Sequence, residues 1–414
     1  MCAQTNRADT SKNRPEQSYD MLLLSFQYGG QSLNFGFSHC KNTDSLYTFV
    51  FMTMVSLLIS ALILGSFGPD DATAVYKEKI KEIAASAKIP LIQVEYKSEK
   101  KTISFESAQF EYSKESADCN TVFQAASLSK PVFAYIVLKM ADRGEIDLDK
   151  PLFNYTDIDR FTNKYLAKLL TARIILSHKS GLQDWAAAPS SDAWPSSKIE
   201  FMSRPDSCFG YSGEAYALLQ RAVEKIRGKS LEEIAVEDVF VPFKMSNTSY
   251  LWKSSYDSQA ASGYNDKGEN RGQGRHPRAN SAYTLRTTAA DYSKFLTVLA
   301  KGTGLKSKTH KEQLTPAVNA VYKFGNERPC DKYIFWGLGV GIEKNPELGD
   351  IIFHWGDNGN FKALFIIVPA QKNRPASHLV YFTNSSFGHD IINQIVPLFY
   401  NNKTPLQISA WIND

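Results

Sequence analysis

Ser127 and Lys130, three residues apart in the segment FQAASLSKPVFAYIVLKMADRGEIDLD, are the side chains of this sequence best placed to do covalent chemistry together. If the segment opens a helix, residues at that spacing share a face, and the lysine amine stands beside the serine hydroxyl. A hydroxyl is a weak nucleophile until a neighbour takes its proton, and a lysine with a pKa lowered by burial can act as that base. The helix start adds backbone N–H groups and a positive partial charge near an attacked carbonyl. Spacing alone is not decisive, because Ser38 to Lys41 and Ser98 to Lys101 repeat it in settings where solvated side chains are expected.

Two further elements single out the first pair. Downstream come Tyr211-Ser212-Gly213 in FGYSGEAYALLQ and His354-Trp355-Gly356 in FHWGDNGNFKALFIIVP. Between and around them lie GEIDLDKPL, ILSHKSGLQDW at 175–185, ASGYNDKG at 261–268, TTAADYSKFL at 287–296 and FWGLGVGIE at 335–343. On these motifs, in this order, the chain resembles the serine β-lactamase and penicillin-binding-protein superfamily, on the side of its class C branch with the related esterases and D-aminopeptidases. The likeness runs from about residue 72 to 400.

The resemblance implies an α/β (α+β) fold of the β-lactamase/transpeptidase kind, an antiparallel sheet flanked by helices with an all-helical insert. It makes Ser127 the acylated nucleophile, Lys130 its proton acceptor and Tyr211 a proton shuttle, with His354 completing the catalytic group. Backbone N–H groups of Ser127 and Asp357 would form the oxyanion hole, the Asp357 carboxylate turned away from it. Ser212, Gly213, Trp355 and Gly356 would meet the substrate, Gly356 letting substrate approach the strand backbone closely. No metal or organic cofactor is implied.

Two positions depart from the family pattern. Gly213 stands where an asparagine amide usually binds substrate, and Glu214 beside it is expected to be a solvated carboxylate. His354 stands where class C enzymes carry a lysine, and an imidazole is largely neutral at neutral pH unless its site raises its pKa. Losing that fixed positive charge shifts the expectation from penicillin-type substrates toward esters, D-amino-acid amides or cell-wall peptides. A class C-like β-lactamase is the alternative, and a catalytically inactive binding protein of the same fold is the alternative of another class. Among the remaining histidines, His178, His276, His310, His378 and His389 lack metal-ligand spacing and are read as structural or solvated. A GxSxG elbow is absent, which argues against a Ser-His-Asp hydrolase.

The chain has 414 residues, 43% of them hydrophobic, enough for a large core. Its 47 basic and 43 acidic residues are too balanced for a nucleic-acid footprint. Residues 1–45 read as a polar tail without periodicity. Residues 46–67 carry no charge over a length sufficient to cross a bilayer, so they read as a transmembrane segment or signal anchor, or as an export signal if translation starts near Met52. A membrane-anchored or exported, extracytoplasmic catalytic unit follows as the expectation. In such a compartment Cys119, Cys208 and Cys330 leave at least one thiol unpaired.

The catalytic unit is expected over 72–401, with the sheet from about 72–125 and 330–401 and the helical insert from about 126–325. Alternation in LIQVEYKSEKKTISFESAQFEYS predicts a hairpin, and helices are predicted at about 127–143, 163–177, 213–227, 287–300 and 388–400. Strands are predicted at 333–343, 351–355, 362–368 and 378–383.

Overall fold

The computed structural model describes residues 19–28, 31–40, 69–108, 117–321, 327–372 and 374–413. The chain divides into two compact units, Met1–Thr73 and Ala74–Asp414. In the first, the stretch read as an aperiodic tail contains an antiparallel hairpin of β1 (Tyr19–Tyr28) and β2 (Gln31–Cys40). Gly29-Gly30 separates the two strands in sequence, a residue pair that tight hairpins favour. The apolar run 46–67 lies outside the described residues, and among those described no helix is long and apolar enough to cross a membrane.

The second unit is built on one eight-stranded antiparallel sheet drawn from both ends of its sequence. Its strands are β3 (Leu91–Ser98), β4 (Thr102–Ala108), β7 (Val318–Asn319), β8 (Ile334–Trp336), β9 (Gly341–Asn345), β10 (Gly349–Asp357), β11 (Lys362–Val368) and β12 (Ser377–Thr383). They lie side by side as β4-β3-β12-β11-β10-β9-β8-β7. The order brings β3, early in the chain, against the last strand in register Val94 with Tyr381. A separate two-stranded sheet joins β5 (Phe123–Gln124) to β6 (Arg286–Thr287).

Strand alternation divides the core. On β11, Ala363, Phe365 and Ile367 face the helical insert, while Leu364, Ile366 and Val368 face the terminal helices. Helices of seven residues or more are α1 (Pro69–Ser86), α2 (Ser129–Asp142), α3 (Gly213–Arg227), α4 (Ala289–Lys301), α5 (Ser307–Gln313), α6 (Ile392–Tyr400) and α7 (Gln407–Asn413). α2 is buried on nearly every face, the mark of a central helix, and its first turn carries Lys130.

The antiparallel sheet and flanking helices are as the resemblance implied; several boundaries differ. The helix predicted at 163–177 is two short ones, Lys164–Ala167 and Ala172–Leu176, because Thr171 leaves helical geometry and caps the second by accepting from the Ile174 N–H at 3.3 Å. The run 333–343 folds back on itself, with Trp336 paired to Gly341 across a tight connection. β7 carries the sheet into residues expected to be wholly helical. α3 has the predicted limits because Ser212 caps its start, its Oγ accepting from Ala215 N–H at 3.1 Å, and Gly228 at φ +61° ends it. Cys119, Cys208 and Cys330 form no disulfide with one another.

The expectation for Glu214 is overturned. Its carboxylate is fully buried, 2.7 Å from the Arg160 guanidinium, and accepts from Trp194 Nε1–H at 2.7 Å and from the Ala186 N–H at 3.1 Å. The sequence hid this because Arg160 and Trp194 are distant along the chain. Together these contacts tie the 185–194 loop to the start of α3. Glu214→Ala would strand the guanidinium with its partner removed. Breaking such a pair is expected to cost about 3 kcal/mol, read as a lower urea midpoint at unchanged m-value.

Candidate active site

Ser127 sits in a single 3-10 turn, Ala126–Leu128, that leads directly into α2. The turn is strained: Ala126 adopts φ +47°, a left-handed conformation unfavourable for a residue with a Cβ. Surrounding hydrogen bonds enforce it. Ala125 N–H donates to the Leu285 carbonyl at 2.8 Å, Ser129 Oγ donates to the Ala126 carbonyl at 2.6 Å, and Leu285 N–H donates to Ser129 Oγ at 3.0 Å. Two buried phenols add to them, Tyr292 donating to Leu128 O at 2.8 Å and Tyr250 to Ser129 O at 2.9 Å.

Lys130 Nζ lies 3.0 Å from Ser127 Oγ and donates to the Ala282 carbonyl at 2.9 Å. The amine is almost completely buried and lies 4.6 Å from the centre of the Tyr211 ring. Burial lowers its pKa to about 7, and the nearby Asp184 carboxylate pulls only weakly the other way. A neutral lysine keeps an N–H for Ala282 and offers its lone pair to the Ser127 hydroxyl. Lowering pH through about 7 protonates the amine and removes that lone pair.

Tyr211 stands over this pair. Its ring stacks on His178 at 4.3 Å and packs against Trp355 at 5.0 Å. His178, read from sequence as structural or solvated, is buried and holds this corner: its Nδ1 accepts from Ser212 N–H at 3.3 Å, and its carbonyl accepts from Gly210 N–H at 2.8 Å. Desolvation and the Lys130 charge keep it neutral.

The third element occupies the end of β10. His354–Asp357 extend past the last residue of β10 that pairs with β9, Phe353, and pair on the other side with β11 alone. That end of β10 packs against the Ala126–Leu128 turn. Gly356 is required there because an added Cβ would lie 2.3 Å from the Ala125 carbonyl oxygen, a close approach of the chain's own backbone. The Asp357 carboxylate turns aside, accepting from Gly359 N–H at 2.7 Å and pairing with Lys362 at 2.6 Å.

His354 is fully buried and does not line the cleft. Its Nδ1–H donates to the Trp355 carbonyl at 2.7 Å, and burial together with the Lys130 charge lowers its pKa to about 3. Position 354 therefore contributes no cation.

The cleft above these groups encloses about 540 Å³ and is lined by Ser127, Lys130, Tyr211, Trp355 and Asp357. Ser212 and Gly213, assigned to substrate from sequence, instead build the start of α3. Ser212 Oγ donates to Gln183 O at 2.8 Å, and a Cβ at Gly213 would lie 2.2 Å from the Trp185 indole. Trp185 thus fills the room that a side chain at 213 would need.

Sequence reasoning missed Gln124, Asp184, Trp185, Arg271, His276 and Tyr283, which also line the cleft. Asn358 Nδ2–H donates to Gln124 Oε1 at 2.7 Å, and His276, expected to be structural or solvated, packs edge-on to Tyr283 at 4.8 Å. Asp184 and Trp185 fall inside the motif quoted at 175–185, so a signal existed for them; nothing in local spacing marks Arg271 or His276.

The sequence profile of the family described as Beta-lactamase matches residues 100–393. The chain belongs to the beta-lactamase family. Membership places it among serine hydrolases, with its activity a separate matter. A curated relative, penicillin-binding protein 4* of Bacillus subtilis (strain 168), is 29% identical over 145 residues, covering 31% of this chain and 30% of that protein. The match thus spans less than a third of that relative's length.

Solved structures share the beta-lactamase fold. A class C beta-lactamase superposes with a TM-score of 0.65 at 17% identity, covering 82% of this chain and 99% of that one. An octameric penicillin-binding protein homologue from Pyrococcus abyssi gives 0.61 at 19% identity, covering 76% and 74%.

Two outcomes follow from this geometry. If Lys130 is the base, the acid limb of kcat/KM against pH should bend near 7, the Lys130 value; a limb bending two or more units lower would contradict that role. Gly213→Asn, which restores the usual family residue, should displace Trp185 and cost about 1–3 kcal/mol through overpacking, with no gain of cephalosporin hydrolysis in a chromogenic assay.

Proposed function

We propose that the chain hydrolyses an ester or amide through a covalent acyl-enzyme on Ser127, as an esterase, D-aminopeptidase or DD-peptidase-like enzyme. The observation that carries this reading is the 3.0 Å contact between Ser127 Oγ and a buried Lys130 amine. As Ser127 Oγ bonds to the substrate carbonyl carbon, its proton passes to Lys130 Nζ. The carbonyl oxygen takes the negative charge, held by the backbone N–H groups of Ser127 and Asp357. Tyr211 relays the proton to the departing oxygen or nitrogen, and water then cleaves the acyl-enzyme by the same steps in reverse.

The neutral, buried His354 favours this reading over a β-lactamase. A penicillin-type carboxylate finds no fixed cation at that position. The uncharged run at 46–67 supports a membrane-attached or exported, extracytoplasmic catalytic unit.

Treating residues 72–414 with a fluorophosphonate probe should attach one label, found by mass spectrometry on the peptide containing Ser127, and Ser127→Ala should abolish it. Labelling that survives the substitution would sink the reading. Cephalosporin hydrolysis as fast as that of the best p-nitrophenyl ester would restore the β-lactamase alternative.

A further inference from the structure

The catalytic cleft holds a carboxylate that the proposed chemistry does not use. Asp184 lines it, exposed, beside Trp185 and within electrostatic reach of Lys130. Its Oδ1 accepts from the Gly213 N–H at 2.8 Å, which fixes the carboxylate at the start of α3. It forms no ion pair among the described residues, whereas the other carboxylate lining the cleft, Asp357, is paired with Lys362 at 2.6 Å.

The surroundings suit a positive charge. Trp185 and Tyr283 meet edge to face at 5.7 Å and bring two aromatic rings to the cleft wall, and ring faces attract cations. His354 and His276 are both held neutral, chiefly by burial. Among the described residues lining the cleft, Arg271 is exposed and 3.8 Å from Glu269, which offsets its charge, and Lys130, with its pKa lowered to about 7, loses its charge as pH rises above that value. The substitution that removes a carboxylate-binding lysine at 354 thus also removes a charge that would repel an ammonium.

We propose that Asp184 anchors an ammonium group on the acyl part of the substrate, so that the preferred substrates are aminoacyl esters or amides with a free amine. This rests on the hydrolase reading and narrows it. The ammonium replaces water at the free face of the carboxylate while Oδ1 keeps its bond to Gly213, so Asp184 is a binding residue that takes no part in proton transfer.

Binding can be measured apart from turnover. In the full chain carrying Ser127→Ala, calorimetry would compare glycinamide, β-alaninamide and 4-aminobutyramide with their N-acetyl forms, with and without Asp184→Asn. Asparagine preserves the acceptor for Gly213 and removes only the charge. At least one free amine should bind about tenfold or more tightly than its acetylated form at low salt. The preference should weaken as salt is added and fall to within about twofold in Asp184→Asn. Equal binding of amine and acetyl forms, no binding of any amine, or a preference that survives Asp184→Asn would each overturn the proposal. Because these measurements use protein lacking the nucleophile, their outcome is independent of whether Ser127 takes the fluorophosphonate label.

Discussion

Everything in the candidate site depends on keeping one amine dry. Lys130 lies at the junction of sheet and helical insert, beneath the Tyr211 ring, with the Ala282 carbonyl and Ser127 Oγ as its polar contacts. In water a lysine is charged and useless as a base at neutral pH; burial brings its pKa to about 7, where it can both accept and return a proton. The burial of α2 on nearly all faces is the structural means of achieving this.

The same amine shapes its neighbours. Its charge helps to keep His178 and His354 neutral, so the two imidazoles around Tyr211 act as packing and hydrogen-bonding groups. Both departures from the family pattern then make physical sense together. Gly213 admits Trp185 to the cleft wall, and His354, buried and neutral, contributes no charge to it. Glu214, buried against Arg160 and Trp194, secures the loop that carries Trp185.

Strain at Ala126 is the other side of this arrangement. A left-handed residue ahead of Ser127 persists because Leu285, Ser129, Tyr250 and Tyr292 bind the backbone on both sides of it, while Gly356 lets β10 pack against the carbonyl of Ala125. These ties come from segments far apart in the sequence, so the geometry at Ser127 belongs to the whole folded unit.

What the sequence determined by itself was whatever is written in local patterns. Ser127 and Lys130 could be paired because one helical turn joins them, and α3 could be bounded because Ser212 and Gly228 are its own start and stop signals. The alternation in β3 and β4, the apolar runs of β11 and β12 and the ordered motifs likewise made the antiparallel sheet and family legible. Local patterns failed where the partner is remote. Glu214 looked solvated because Arg160 and Trp194 are many residues away, and Ser212 and Gly213 looked like substrate contacts because Trp185 could not be placed against them. His354 could be read as a lost lysine, but only packing put it out of the cleft with its ring neutral. Asp184 gained meaning only when folding brought it into the same cleft as Ser127, because charge pairing, burial and cleft membership are properties of distance in space, which residue spacing does not encode.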